Sequence, residues 1–175
     1  MKRMPTAALF LAAVSLLLSS SAAAQSMRTY SLKNGGTISL ASTGYDPSGA
    51  PAYIGGSIAG QLEGATSGTF SLWVSFRNTS FDPATGVYGG EIVPQYSSFA
   101  VTEGSGRKSV TTSGTIDAGT VTYRLTPDGL AEIISVVSNN VTVWGGKSKR
   151  RRAVGHGTLD YGTSGQGMGT MTLYF

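Results

Sequence analysis

Cysteine is absent from this 175-residue chain, and histidine occurs once, as His156. Without cysteine the fold has no disulfide bonds and depends on core packing and backbone hydrogen bonding. A single histidine leaves zinc and soft transition metals without enough ligands, so only calcium held by oxygen atoms stays open. The nine acidic residues are scattered along the chain, and no Walker or dinucleotide-binding motif occurs. We therefore expect no metal site and no cofactor.

Long apolar runs are just as scarce, and the one that occurs lies near the first residue. Two basic residues precede an apolar stretch from Thr6 to Leu18, and an Ala-x-Ala pattern ending at Ala24 follows it. This order is typical of a secretory signal peptide, and the stretch is shorter than the roughly 20 residues that cross a bilayer. We predict a signal peptide over 1–24, with a retained membrane anchor as the alternative, and a single domain over 25–175. The protein would then be secreted or periplasmic, which suits a bacterium.

Glycine and threonine, in contrast, recur together. A Gly-Thr-apolar triplet occurs six times, with its glycine at positions 36, 68, 114, 119, 157 and 169. Glycine permits the backbone angles of a tight turn, and the β-branched threonine suits a pleated, half-buried surface. The triplets therefore predict where strands begin, and their irregular spacing argues against a solenoid or propeller.

Alternation of apolar and polar residues is clearest over 70–76, where every second residue is apolar. The same period of two recurs over 121–125 and 171–175, which is typical of half-buried strands. Residues 130–137 are apolar on both faces, which favours a central strand, with a short helix as the alternative. The sequence contains no helical stripe of comparable strength.

Turn sequences rich in Gly, Pro, Asp and Asn separate these runs. Asp117-Ala118-Gly119 is predicted as a hairpin connection and Ser138-Asn139-Asn140 as a turn. The predicted strands span residues 28–33, 37–43, 52–63, 69–79, 87–102 with a break near Pro94, 107–116, 119–126, 130–137, 140–145, 152–161 and 167–175. Connections this short favour antiparallel neighbours. We therefore predict an all-β fold, an antiparallel meander of about ten strands that forms a single barrel or sandwich.

Positive charge is concentrated in a single segment. Of the thirteen basic residues, two lie in the predicted signal peptide, so the mature domain carries eleven against nine acidic residues, a net charge of +2. Five of the eleven are Lys147, Lys149, Arg150, Arg151 and Arg152. Such a segment attracts phosphates, sulfates or anionic lipid head groups. We predict that it binds an anionic polymer or lipid head group, with a solvated loop that blocks sheet-edge pairing as the alternative.

Catalytic motifs are missing from the sequence. His156 lies between Gly155 and Gly157, which admit a close neighbour, and Asp160 is about 13 Å along the same predicted strand, too far for a hydrogen bond. No Gly-x-Ser-x-Gly motif supplies a nucleophile. A small barrel enzyme of isomerase or cyclase type, with few polar groups in an apolar cavity, is an alternative function. The candidate site residues of such an enzyme are His156, Glu63, Glu91 and Arg124.

The last strand favours a different alternative. Residues 169–175 alternate and end on Phe175, which resembles the terminal strand of outer-membrane β-barrels. The resemblance implies a small outer-membrane β-barrel, which requires strands of about 9 to 11 residues, an apolar outer band and aromatic girdles. Its apolar residues would face outward.

The absence of catalytic motifs favours an exported soluble β-domain with a non-catalytic binding or structural role in the bacterial cell envelope or exterior. The face bearing Phe70, Leu72, Val74 and Phe76 separates this hypothesis from the membrane barrel. In a soluble domain that face points into a closed core, and in a membrane barrel it forms an outward belt.

Overall fold

The computed structural model describes residues 25–45, 51–64, 66–125, 131–145, 152–163, 165 and 167–175. The predicted signal peptide lies outside them. The described residues form nine β-strands and two single-turn 3-10 helices, Pro94–Tyr96 and Gly106–Lys108. The strands are β1 (Met27–Tyr45), β2 (Pro51–Glu63), β3 (Gly68–Asp82), β4 (Val87–Ile92), β5 (Ser98–Glu103), β6 (Val110–Leu125), β7 (Ala131–Gly145), β8 (Arg152–Tyr161) and β9 (Met168–Tyr174).

The nine strands form one antiparallel sheet that closes into a ring. Each strand follows its predecessor around the ring, and β9 pairs with β1 to complete it. The strands β4 and β5 share one position, because both pair with β3 on one side and with β6 on the other. The predicted all-β antiparallel meander is confirmed, and its closure makes the described part barrel-like.

The predicted break near Pro94 is confirmed as the gap between β4 and β5. Proline lacks the N–H that a central strand donates, so the chain leaves the sheet over the helix Pro94–Tyr96. The buried side chain of Ser97 fills the gap. Its Oγ accepts a hydrogen bond from the backbone N of Ser75 at 3.0 Å and donates to the carbonyl oxygen of Val93 at 3.0 Å.

Two predicted connections are wrong, because both long strands continue through them. Asp117-Ala118-Gly119 lies within β6 and Ser138-Asn139-Asn140 within β7, where Ala118 is the register partner of Asn140. The register of β6 against β7 shifts on both sides of Ala118, which is the mark of a β-bulge. A similar shift between Asn34 and Thr37 joins two predicted strands into β1.

The Gly-Thr triplets mark strand starts less often than predicted. Gly68 opens β3 and Gly169 is the second residue of β9, whereas the other four triplets lie inside strands. At Gly114 an added Cβ would lie 2.0 Å from the carbonyl oxygen of Thr142, and at Gly157 it would lie 2.3 Å from that of Thr172. These glycines therefore permit close approach of a neighbouring strand.

The interior of the ring is filled by the apolar faces of the strands. Phe70, Leu72, Val74 and Phe76 are at most 2% exposed, so the predicted alternation of β3 is confirmed and this face points inward. The largest buried side chains include Tyr123 and Tyr161. The apolar run predicted over 130–137 is a strand where it is described, from Ala131 onward.

The outer face is largely polar, and threonine and serine form side-chain pairs across it. Thr29 pairs with Thr172 at 3.2 Å between hydroxyl oxygens, and Thr102 with Thr111 at 2.9 Å. Cross-strand pairs of this kind add to sheet stability, and β-branched threonine favours the strand. Exposed residues on this face of β3, β8 and β9 are Ser71, Arg77, His156, Asp160 and Thr170, among others.

The ring has two ends, which differ in the strand termini they carry. The Arg28 end holds the starts of β1, β3, β6 and β8 and the ends of β2, β5, β7 and β9. The Asp82 end holds the ends of β1, β3, β6 and β8 and the starts of β2, β4, β7 and β9. This division follows from the antiparallel order, and it decides which charged side chains meet.

Candidate anion-binding site

One residue of the basic segment predicted to bind anions is described, and it lies at the Arg28 end. Lys147, Lys149, Arg150 and Arg151 lie outside the described residues. Arg152, the fifth, is exposed as the first residue of β8. Its register partner is Gly145, the last residue of β7, so both residues lie where these strands reach the Arg28 end.

Two further basic residues lie at the Arg28 end. Arg107 and Lys108 are exposed on the helix Gly106–Lys108 in the β5–β6 connection. Since β6 pairs with β7, with Ser113 opposite Trp144, the start of β6 lies beside the end of β7. Two isolated basic residues carry no motif, so the sequence alone does not indicate them, and only the strand order places them at the same end of the ring as Arg152.

The mouth of the ring at this end carries an ion pair between distant parts of the chain. Arg28 precedes Tyr30 by two residues on the inward face of β1, and Glu103 follows Val101 on the inward face of β5. The Nη1 atom of Arg28 donates to Oε2 of Glu103 at 3.0 Å. The guanidinium carbon of Arg28 also lies 5.8 Å from the centroid of the Phe175 ring, within cation–π distance.

Tyr30 lies next to this pair and is 2% exposed. Its hydroxyl lies close to both members of the ion pair and interacts with Arg28 and Glu103. Burial raises the pKa of Tyr30, the Glu103 carboxylate adds to the rise, and Arg28 opposes it. The hydroxyl therefore remains protonated at neutral pH and can donate a hydrogen bond.

These side chains line an open cleft, which we call the mouth cleft. Its volume is about 480 Å³. Its walls are Arg28, Thr29, Tyr30, Thr66, Ser67, Glu103 and Gly104. The backbone N of Gly104 donates to the carbonyl oxygen of Ser67 at 2.8 Å, which joins the β2–β3 and β5–β6 connections. The cleft thus has a fixed rim with one cation, one carboxylate and several hydroxyl groups.

The opposite end has the opposite character. Asp82, Glu132 and Asp160 lie at the Asp82 end, where Arg124 is the basic residue among the described side chains. The carboxylate of Asp82 accepts hydrogen bonds from Thr85 Oγ1 at 2.6 Å and from the backbone N of Ala84 at 2.9 Å. The Thr85 hydroxyl is the main cause that lowers the pKa of Asp82, so this carboxylate stays charged. Basic residues therefore outnumber acidic ones among the described residues of the Arg28 end, even with Glu63 and Glu103 there, and acidic residues outnumber Arg124 at the Asp82 end.

His156 is exposed on the outer face of β8. Its ring stacks on that of Tyr174, with centroids 5.2 Å apart. The flanking Gly155 and Gly157 allow β9 to approach, since a Cβ at Gly155 would lie 2.2 Å from the carbonyl oxygen of Tyr174. These contacts account for the glycines through strand packing.

The remaining candidates for an enzyme site are also exposed, and the structure brings no two of the four candidates together. Glu63 pairs with Lys33 at 2.7 Å between Oε1 and Nζ. Glu91 is the register partner of Thr120, and Arg124 lies four residues further along the same strand, opposite Val87. Four residues along a strand span about 13 Å. These positions do not support an active site assembled from the four residues.

Comparison with protein-family models, with curated proteins and with solved structures finds no match for this chain. In the part of the chain that the structure describes, no helix is long and apolar enough to cross a membrane. The same residues contain no group of three histidine or acidic side chains placed to hold a metal ion. The function must therefore be argued from the side chains themselves.

Proposed function

We propose that this protein is an exported, soluble β-domain that binds anionic polymers without chemical conversion, and that the Arg28 end is its contact surface. The observation that carries the proposal is the shared location of Arg28, Arg107, Lys108 and Arg152 at that end. The acidic residues of the Asp82 end lie on the opposite side of the ring.

Local charge, and not net charge, favours this function. A mature net charge of +2 is too small to drive general binding to polyanions. Concentrated at one end, basic residues create a positive local potential that raises the local concentration of a polyanion and releases its counterions on binding. Such binding weakens as salt is added, because the release of counterions then contributes less free energy to binding.

The orientation of the side chains supports a soluble protein over the outer-membrane alternative. The apolar row of β3 is buried in the interior, and the outer face carries hydroxyl and charged groups. A membrane barrel requires an outward apolar band instead. Purification without detergent as a monodisperse protein, together with recovery in the soluble periplasm or medium, is the expected result. Recovery only in the membrane fraction would contradict it.

Retention on immobilised heparin as a function of salt tests the polymer-binding function. The triple variant Arg150→Gln, Arg151→Gln, Arg152→Gln is expected to elute at a much lower salt concentration than the unmodified protein. The control neutralises two basic residues away from the Arg28 end, Arg77 and Arg124, and is expected to elute close to the unmodified protein. Elution of the triple variant no earlier than this control would show that the local cluster has no special role.

A further inference from the structure

We propose that the mouth cleft is a subsite for one acidic sugar residue, whose carboxylate or sulfate binds Arg28 while its hydroxyl groups bind Glu103 and the Ser67 side chain. The inference rests on the proposed function and narrows the anionic polymer to an acidic polysaccharide.

Arg28 is placed to receive an anionic group. It lies on the inward row of β1 at the mouth, yet its side chain is 51% exposed, so a ligand can reach it. A guanidinium has five N–H donors, and Glu103 accepts a hydrogen bond from Nη1. A planar guanidinium matches the two oxygens of a carboxylate or sulfate. The ion pair with Glu103 and the contact with Phe175 hold the side chain in place before a ligand arrives.

Tyr30 supports the ion pair from the interior. It is buried at the wall of the mouth cleft, and its hydroxyl interacts with both Arg28 and Glu103. These interactions help to hold Arg28 in place before a ligand arrives.

The mixture of groups selects a sugar over a nucleic acid. Glu103 needs a hydroxyl donor from the ligand, and a DNA phosphodiester chain has few of them, whereas each residue of an acidic polysaccharide has several. An acidic sugar presents an anion to Arg28 and also donates hydroxyl hydrogens to Glu103, so both members of the ion pair gain a partner. The hydroxyl groups of Thr29, Thr66 and Ser67 add further donors and acceptors along the wall.

The position of the cleft agrees with this assignment. Gly104 forms part of the cleft wall and belongs to the same connection as Arg107 and Lys108. A polysaccharide with one residue in the cleft can therefore continue along these basic side chains.

Isothermal titration of the mature protein with a galacturonate tetramer, and separately with a twelve-residue oligothymidylate, tests the inference. Arg28→Gln is expected to lower the affinity for the tetramer at least tenfold, and Ser67→Ala several-fold. Arg28→Lys, which keeps the charge but loses the planar fork, is expected to fall between Arg28→Gln and the unmodified protein. Glu103→Gln is expected to narrow the preference for the tetramer over the oligonucleotide, because the charged acceptor for the sugar hydroxyl groups is replaced by a weaker neutral one. Circular dichroism and thermal unfolding of each variant establish that it is folded.

The outcomes separate this inference from the proposed function. If heparin retention depends on Arg150, Arg151 and Arg152 but Arg28→Gln binds the tetramer normally, the subsite is wrong and the polymer-binding surface stands. If the oligonucleotide binds as tightly as the tetramer and both depend on Arg28, the preference for sugar is wrong. If the protein binds neither heparin nor the tetramer, both proposals fail.

Discussion

The side chain of Ser97 closes the gap that the break between β4 and β5 leaves in the sheet. Its hydroxyl accepts from the backbone N of Ser75 and donates to the carbonyl oxygens of Val93 and Ser75. Both serines are at most 2% exposed, so water does not replace these bonds readily. A single hydroxyl therefore keeps the backbone of β3 satisfied where its neighbouring strand is interrupted.

Removal of this hydroxyl is expected to destabilise the protein. Ser97→Ala leaves the N–H of Ser75 buried without an acceptor, a loss of about 1–3 kcal/mol in the free energy of unfolding. Urea denaturation followed by circular dichroism measures the loss. The control is Ser98→Ala at the neighbouring exposed position, where a change within about 0.5 kcal/mol is expected. Equal midpoints for the two variants would mean that Ser97 has no such role.

At the scale of elements, the sequence pattern identifies strand regions well but not where long strands continue. The break at Pro94 was predictable because proline has no backbone N–H to donate, and this holds for any strand that pairs with it. Asp117-Ala118-Gly119 was mistaken for a hairpin because bulges and turns use the same residue types. A bulge differs from a turn in what the partner strand does. Here β6 and β7 are both irregular at the same level, where Ala118 lies opposite Asn140. Only the register of the assembled sheet contains that information.

The bulge at Gly119 can be tested by substitution. This residue has a φ of +145°, and an added Cβ would lie 2.2 Å from the carbonyl oxygen of Val137. Gly119→Ala is expected to lower the free energy of unfolding by about 1–3 kcal/mol through backbone strain and displacement of β7. Ala118→Ser, at the exposed neighbour in the same bulge, serves as the control and is expected to change stability by less than about 0.5 kcal/mol. An unchanged unfolding midpoint for Gly119→Ala would contradict the bulge geometry.

At the scale of the whole molecule, closure of the sheet creates the candidate site. The sequence indicated the basic segment because its charges are adjacent in the chain. It could not indicate the pairing of Arg28 with Glu103, since 75 positions separate them and β2 and β3 lie between β1 and β5 in the ring. Periodicity predicts which face of a strand is apolar, but the ends of strands meet only once their order and stagger are fixed. The mouth cleft is thus a product of topology.

The direction in which the strands face can be tested with two substitutions in β3. Phe76 is fully buried and Trp73 is 40% exposed on the opposite face. Phe76→Ala is expected to lower the free energy of unfolding by about 3–5 kcal/mol, since it removes a large side chain from the closed core. Trp73→Lys is expected to leave the protein folded in aqueous buffer and to change stability by less than about 1 kcal/mol, because its side chain faces water. On a lipid-facing surface the same lysine would cost about 2–4 kcal/mol near the bilayer midplane. Loss of folding with Trp73→Lys, or a requirement for detergent in either variant, would favour the membrane barrel over the soluble domain.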